Sequence, residues 1–404
     1  MTDLLLANGF ETGLASSTLT TTEFDEVSVV SGAAFQTTNT PRMLTGGYSL
    51  QAGTGSTSGV AYGGWDWGSD QATIYALLYV NFDSVPSAIT AFASIVDSAG
   101  NLIASLRVNA SGHWEVYNYG NSTAYDDTGG AVVGNVWYRV ELKLHSDAAA
   151  GTIDLKVNGA LSSGASGITG IDTEPVGLPR KLRVGVTEAQ ASAPTRYIDD
   201  CMVRLSDWIG MGRTRPLRPF GVDVENWTVV DSGNAGWQTQ LELPWVSNPS
   251  SDYVKSSTAN QEERWTVVPL GSTSGVAILG AVPMLMVRRG SASAAAGVLV
   301  NLRSGSTDGP QSAALDSGST TWQTFRGVMQ ETDPATGSAW TLSGLNAAIL
   351  RLVHDSGTNE ADVCASFVYA AFTMTAMVAP AMGQKAPSIT PAQYLRRGRV
   401  LHHE

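Results

Sequence analysis

Between residues 136 and 145, Tyr138, Val140, Leu142 and Leu144 alternate with Arg139, Glu141, Lys143 and His145. A period of two sends one set to each face of a β-strand and is incompatible with a helix. Residues 151–159 alternate again and close on Asn158-Gly159, a pair suited to a tight hairpin turn. Residues 73–82 are apolar almost throughout, the pattern of a strand covered on both faces, and residues 101–108 and 113–120 add two more. In residues 113–119, Tyr117 and Tyr119 share a face with His113 and Glu115, while Trp114 and Val116 take the other. Strands at even spacing with turn signals between them predict a sandwich or a barrel.

The composition agrees. Of 404 residues 43 are Gly, charged residues make up only 15%, and Ser and Thr are abundant. That mix favours short strands joined by turns and is poor in helix formers. The length exceeds one ordinary core and predicts two domains, or three. A net charge of −12 argues against wrapping nucleic acid, because phosphates would go unneutralised. No basic, apolar leader opens the chain and no run of about twenty apolar residues occurs, so neither a signal peptide nor membrane insertion is expected. Cys201 and Cys364 lie far apart in apolar runs and read as two buried, reduced thiols.

Residues 206–219 change character: Arg213, Arg215 and Arg218 interleave with Pro216 and Pro219 after Gly210 and Gly212, the pattern of a linker. Residues 220–375 carry further strands. Within them, Asp333-Pro334-Ala335-Thr336-Gly337 reads as a turn, and residues 342–351 form the best helix candidate, with Ser343 as N-cap. Residues 376–404 turn to Met, Ala and Pro and then to a basic run with Arg396, Arg397 and Arg399. This tail is either a disordered end or a peptide that docks on an acidic groove of a neighbouring subunit. The expected architecture is all-β: two tandem antiparallel β-sandwich (jelly-roll) domains, 1–205 and 220–375, with a short basic C-terminal tail.

Three groups of residues carry resemblances. Leu4-Leu5-Leu6-Ala7-Asn8-Gly9-Phe10-Glu11 and Arg196-Tyr197-Ile198-Asp199-Asp200-Cys201 look like the first and last strands of a concanavalin A-like or carbohydrate-binding-module sandwich. Residues 137–142 and 151–159 are similar to adjacent strands of laminin-G-like and pentraxin-like jelly rolls. The ordered anchors Trp227, Trp237, Arg288-Arg289-Gly290 and Asp333-Pro334-Ala335-Thr336-Gly337-Ser338-Ala339-Trp340-Thr341 resemble structural proteins of tailed bacteriophages. There the usual acidic stretch is replaced by Leu241-Glu242-Leu243-Pro244-Trp245-Val246, a departure from that family.

The first resemblance implies that its two end strands lie side by side and can hold one structural Ca²⁺ through Glu11 and Asp200. The competing arrangement pairs Glu11 with Arg196 while Asp200 hydrogen-bonds the backbone. No other cofactor is expected. A glycoside hydrolase on such a sandwich needs two carboxylates on one strand face, and the nearest candidate, Glu23-Phe24-Asp25-Glu26, lacks the spacing. His113, His145 and His354 are isolated and form neither a triad nor a zinc site.

Aromatic residues remain. Tyr62, Trp65 and Trp67 lie in a Gly-rich segment, and Tyr117, Tyr119 and Tyr125 cluster further on. Such rings can stack on sugars or serve protein contact, whereas Trp114, Trp137, Trp227 and Trp340 read as core. The expectation is a non-enzymatic virion protein of a tailed phage, made in the host cytoplasm and homo-oligomeric. It would be tail-associated, in contact with other virion proteins, and recognise host surface glycan through its jelly roll. The alternatives are a capsid decoration protein and a polysaccharide-degrading enzyme.

Overall fold

The computed structural model describes residues 3–10, 24–39, 48–54, 58–190, 194–230, 253–270, 275–291, 295–355 and 357–374. Among them the strands form four antiparallel sheets, of nine, seven, six and five strands. The fold is the expected all-β arrangement of antiparallel sandwiches.

The nine-stranded sheet is built on the alternating strand Trp137–His145. It pairs with Thr73–Phe82 in unbroken register, from Trp137 opposite Asn81 to His145 opposite Thr73, and on its other edge with Gly151–Val157. Arg196–Arg204 joins the far side of Thr73–Phe82 and also pairs with Leu4–Asn8, so the first and last strands of this half are neighbours. The seven-stranded sheet runs in the order Thr123–Ala131, His113–Asn118, Leu102–Val108, Thr90–Val96, Lys181–Gln190, Gly59–Asp66, Glu26–Val29. One core holds the apolar sets of the two sheets, including Val80, Val140, Leu142 and Leu144 with Phe92, Trp114, Val116 and Val184, all at most 1% exposed. Burying each such side chain stabilises the fold by about 1.5–3 kcal/mol.

In the second half, Val276–Arg289 and Ala361–Met374 pair along almost their whole length at the centre of the six-stranded sheet. The five-stranded sheet, ordered Pro219–Val224, Glu262–Val267, Ile349–His354, Val298–Ser304, Thr307–Asp308, packs Trp265, Val300 and Leu350 into a core with Leu285 and Val363. Trp114, Trp227 and Trp340 are core residues as expected, and Trp137 is only partly buried. Cys201 and Cys364 are both buried and free.

Three expectations are corrected here. The Arg/Pro run is no linker. Gly212–Leu217 pairs with Ala361–Met374 and Pro219–Val224 pairs with Glu262–Val267, so residues 212–224 belong to the second pair of sheets. The backbone can do this because Pro216 lies on the outermost strand of its pairing and the arginines find partners: Arg213 lies 3.8 Å above the Tyr79 ring, and Arg215 donates to the Leu270 carbonyl. The helix is one short turn, Leu342–Asn346, capped by Thr341 rather than Ser343, and the chain is back in a strand at Ile349–His354. Thr341 wins because its hydroxyl accepts from the Gly344 N–H. Finally, the face of Trp137–His145 read as polar is not all solvated. Glu141 is 1% exposed and accepts from the Gly210 N–H. The second half covers this side, where Leu4, Ala7, Leu77, Tyr79, Met202 and Ile209 pack with Ala371.

The Asp333 turn forms as its sequence predicts. The Asp333 carboxylate accepts from Ala335 N–H, its carbonyl accepts from Gly337 N–H, and Gly337 takes a φ of 68°, where a glycine is favoured.

Candidate functional site

The outer face of the seven-stranded sheet carries a row of polar residues flanked by a glycine and an alanine. Gly64, Arg183, Ser94, Ser105, Tyr117 and Ala124 are directly paired residues on successive strands. Trp114 and Val116 point into the core, so Glu115 and Tyr117 must point outward. In the next row Arg107 lies opposite Glu115, and Glu115 lies opposite Asp126.

Arg107 is the hub. Its Nε and one terminal nitrogen donate to both Glu188 carboxylate oxygens at 2.9 and 2.5 Å, and that nitrogen also donates to the Tyr119 hydroxyl at 3.0 Å. The guanidinium carbon sits 3.9 Å from the Tyr117 ring centre, and the Tyr117 and Tyr119 rings meet edge to face at 4.9 Å. Glu115 stands 3.6 Å from the guanidinium. Burial works against the Arg107 charge, but the Glu188 carboxylate outweighs it and holds the pKa above the ordinary value. Behind Arg107, Ser94 bonds Ser105 at 2.9 Å and Thr187 at 2.7 Å.

Glu115 and Asp126 form a carboxyl pair. Burial is the largest cause and the carboxyl of Asp126 the next; Arg107 opposes them weakly, and the Glu115 pKa is pushed up to about 7. Glu115 Oε1 and Asp126 Oδ1 are both buried and meet no donor. The raised pKa leaves Glu115 protonated below about pH 7, which gives its carboxyl a donor on the side of Asp126. The other Asp126 oxygen accepts from the Asn109 side chain at 3.2 Å, and Asn109 Oδ1 caps the turn by accepting from Ser111 and His113 N–H groups.

The structure brings together only part of the predicted set. Tyr117 and Tyr119 are joined through Arg107. Tyr62 lies on the same face near its other edge, under Arg183 at 4.8 Å, and Arg183 pairs with Glu26. Tyr125 is partly buried against the core, and its hydroxyl accepts from Asn121 at 2.8 Å. Trp65 is corrected to a core residue: it is 3% exposed and stacks 4.7 Å from Phe24 and 5.7 Å from Phe10. Gly63 and Gly64 did not make an open loop there; they lie within the strand Gly59–Asp66. Trp67 faces a separate cleft between the two halves. Arg107, Asp126 and Glu188 were missed. The available signal was the hairpin register: pairing Asn118 with Thr123 puts Asp126 opposite Glu115.

Of the calcium pair, Glu11 lies outside the described residues. Asp200 is described, and no group of three metal-binding side chains gathers around it among the described residues. Arg213 stands 3.6 Å away, and the Thr214 N–H and hydroxyl donate to Asp200 at 2.7 and 2.8 Å. Both Thr214 donors meet one Asp200 oxygen, while the other is buried and meets no hydrogen-bond donor among the described residues. Arg396, Arg397 and Arg399 also lie outside the described residues, as does Glu23. Asp25 and Glu26 are described, and Glu26 is engaged by Arg183 and Lys181 rather than facing a second free carboxylate.

No family model matches the chain. No curated protein matches it either. Solved structures do show similarity. A protein described as cellulose induced protein, Cip1, is 15% identical over 51% of this chain and 99% of its own, with a TM-score of 0.38. Trypanosoma rangeli sialidase is 14% identical over 45% of this chain and 30% of its own, with a TM-score of 0.31. The PL-14 alginate lyase from Aplysia kurodai is 12% identical over 43% of this chain and 87% of its own, with a TM-score of 0.30. These are not virion proteins, and two of them are enzymes by name. The expectation of a non-enzymatic phage structural protein, tail-associated or capsid-decorating, is corrected accordingly.

Proposed function

We propose that this chain binds polysaccharide along the outer face of the seven-stranded sheet and promotes its hydrolysis: Glu115 gives its proton to the departing glycosidic oxygen, a water molecule bonds to the anomeric carbon, and the proton released by that water restores Glu115. The observation that supports it is the carboxyl pair. A carboxyl with a pKa of about 7 is still partly protonated at neutrality and so can act as a general acid there. The surroundings suit a sugar chain. Tyr117 and Tyr119 offer rings for the C–H faces of sugars, and Arg107, Asp126, Glu188 and His113 offer donors and acceptors for hydroxyls around them.

The geometry also assigns roles. Asp126 lies directly opposite Glu115 on the neighbouring strand and raises its pKa, after burial the next cause. Asp126 therefore serves to keep the proton on Glu115, not to attack the sugar. Glu188 is held by Arg107 as a carboxylate and fixes that guanidinium over Tyr117.

The test uses the full chain and a panel of neutral and acidic polysaccharides. Retention by at least one, with release of new chain ends from it, is expected. Glu115→Gln should keep retention and lose release. Tyr117→Ala should lose retention. If no polysaccharide retains the wild-type chain, the reading fails.

A further inference from the structure

A cleft of about 320 Å³ opens between the two halves, lined by Leu4, Leu5, Trp67 and Met329 and by the charged Asp66 and Arg326. Two side chains of its wall carry donors without acceptors among the described residues. Trp67 Nε1 is buried and meets no partner. Arg326 donates no hydrogen bond among the described residues; its nearest carboxylate is Asp25 at 4.0 Å, and 28% of its side chain is exposed.

The neighbouring acids are already committed. Asp66 accepts from Arg180 at 2.9 Å and from the Gly68 N–H at 2.7 Å. Asp25 accepts from the Asp66 N–H at 2.7 Å. Glu331 accepts from the Leu4 N–H. Burial pulls the Arg326 pKa down, and Asp25 and Asp66 only partly oppose it. A guanidinium presents five N–H donors, and those of Arg326 meet no acceptor among the described residues. The cleft thus holds an under-neutralised cation and an unmet indole N–H beside an apolar wall.

We propose that this cleft binds a small organic carboxylate, its oxygens accepting from Arg326 and the Trp67 indole, its hydrocarbon part against Leu4, Leu5 and Met329. The ligand class follows from the groups present. A planar carboxylate matches the guanidinium fork. An inorganic anion would leave the apolar wall uncovered. A neutral alcohol would leave the cation unanswered.

Titration of the full chain with sodium hexanoate and with 1-hexanol, followed by calorimetry and by the Trp67 indole resonance, tests this. That resonance is identified among the 11 tryptophans by its loss in Trp67→Phe. Hexanoate should bind saturably with a Kd of about 1 mM or tighter, hexanol about tenfold more weakly, and Arg326→Gln should weaken hexanoate about tenfold or more. Trp67→Phe keeps the apolar ring and should weaken hexanoate about threefold or more. Equal binding of hexanol, no saturation by about 10 mM hexanoate, or full affinity in Arg326→Gln would overturn the proposal. Should Arg326→Gln fail to fold, the hexanol comparison and Trp67→Phe decide. Loss of polysaccharide retention has no bearing on this cleft, since Tyr117 and Arg326 sit in different sites.

Discussion

Glu115 and Asp126 occupy directly opposed positions on two antiparallel strands, and Asp126 adds to burial in raising the Glu115 pKa. The Glu115 pKa is raised to about 7 from an ordinary value of 4.5. The unfolded chain gives up this proton near 4.5 and the folded chain near 7, so between the two the folded state holds more protons. The pair's contribution to stability is complete below about pH 4.5, decays as pH rises, and is gone above about 7, with a total of at most about 3 kcal/mol. Glu115→Gln places a permanent donor opposite Asp126. Its stability relative to wild type should therefore rise between pH 5 and pH 8 in urea unfolding. Parallel curves for the two proteins would remove the raised Glu115 pKa.

Glu263 shows the same direction in the second half. Burial outweighs the Trp227 and Asn226 N–H groups that donate to it at 2.8 and 2.7 Å, and its pKa also rises to about 7. Glu263→Gln keeps an oxygen for both N–H groups and carries no charge to bury. It should match wild type at pH 5 and exceed it at pH 8, by about 1–3 kcal/mol in urea unfolding. Because Glu263 is remote from the polysaccharide face, this variant should leave retention unchanged.

Arg107 stands between two carboxylates with 9% of its side chain exposed. Arg107→Met removes the cation and leaves Glu188 and Glu115 without it. Breaking a buried ion pair from one side costs about 3–5 kcal/mol. A fall of that size in unfolding free energy is expected, together with a further rise in the Glu115 pKa measured by carboxyl NMR titration. A loss below about 1 kcal/mol would mean that the pair behaves as a solvated one.

Much of this fold is legible in the sequence, for definable reasons. The alternation of Tyr138 to His145 and the Asn158-Gly159 turn are local signals, and local signals fix strands and hairpins. What covers a strand is not local. Glu141 sits at a position that alternation assigns to solvent, yet the Gly210 N–H and the second half enclose it. Arg213 reads as a linker cation and turns out to be 3% exposed, between the Tyr79 ring and Asp200. The site divides in the same way. Tyr117 and Tyr119 could be placed on one face by counting in twos. Arg107, Asp126 and Glu188 reach that face from three other strands, and only the sheet order shows it. Residues 342–351 have a helix-like start, but Ile349, Leu350 and Leu352 pair with other strands of the second core, and tertiary pairing overrides the local preference.

Trp65 and Tyr117 separate packing from recognition. Trp65 closes an aromatic cluster with Phe10 and Phe24, so Trp65→Ala leaves a cavity and should cost about 3–5 kcal/mol in unfolding free energy. Its retention on polysaccharide, measured at a temperature where it is folded, should stay at the wild-type level. Tyr117→Ala should do the reverse, losing retention at a stability cost of about 1–2 kcal/mol from the lost Arg107 contact. Equal retention losses in the two variants would mean that the outer face is not where the sugar binds.

Asp200 decides whether the end strands are tied by a metal or by the protein. It takes a φ of 49° within a break in strand register between Asp199 and Met202, a bulge that turns its side chain toward Thr214. Gly9 permits the approach, since a Cβ there would come within 2.1 Å of the Thr214 hydroxyl. The Asp200 carboxylate is buried, at 2% exposure, and Arg213 stands 3.6 Å from it. Asp200→Ala leaves the Arg213 cation buried beside Tyr79 without an anion, and a loss of about 3–5 kcal/mol is expected. Double substitution with Arg213→Met should recover part of it, because both charges then leave together. Adding a chelator to the wild-type chain should leave its melting temperature where it is. A drop of several degrees, reversed by calcium, would instead show a cation at this strand pair and return Asp200 to the role of ligand.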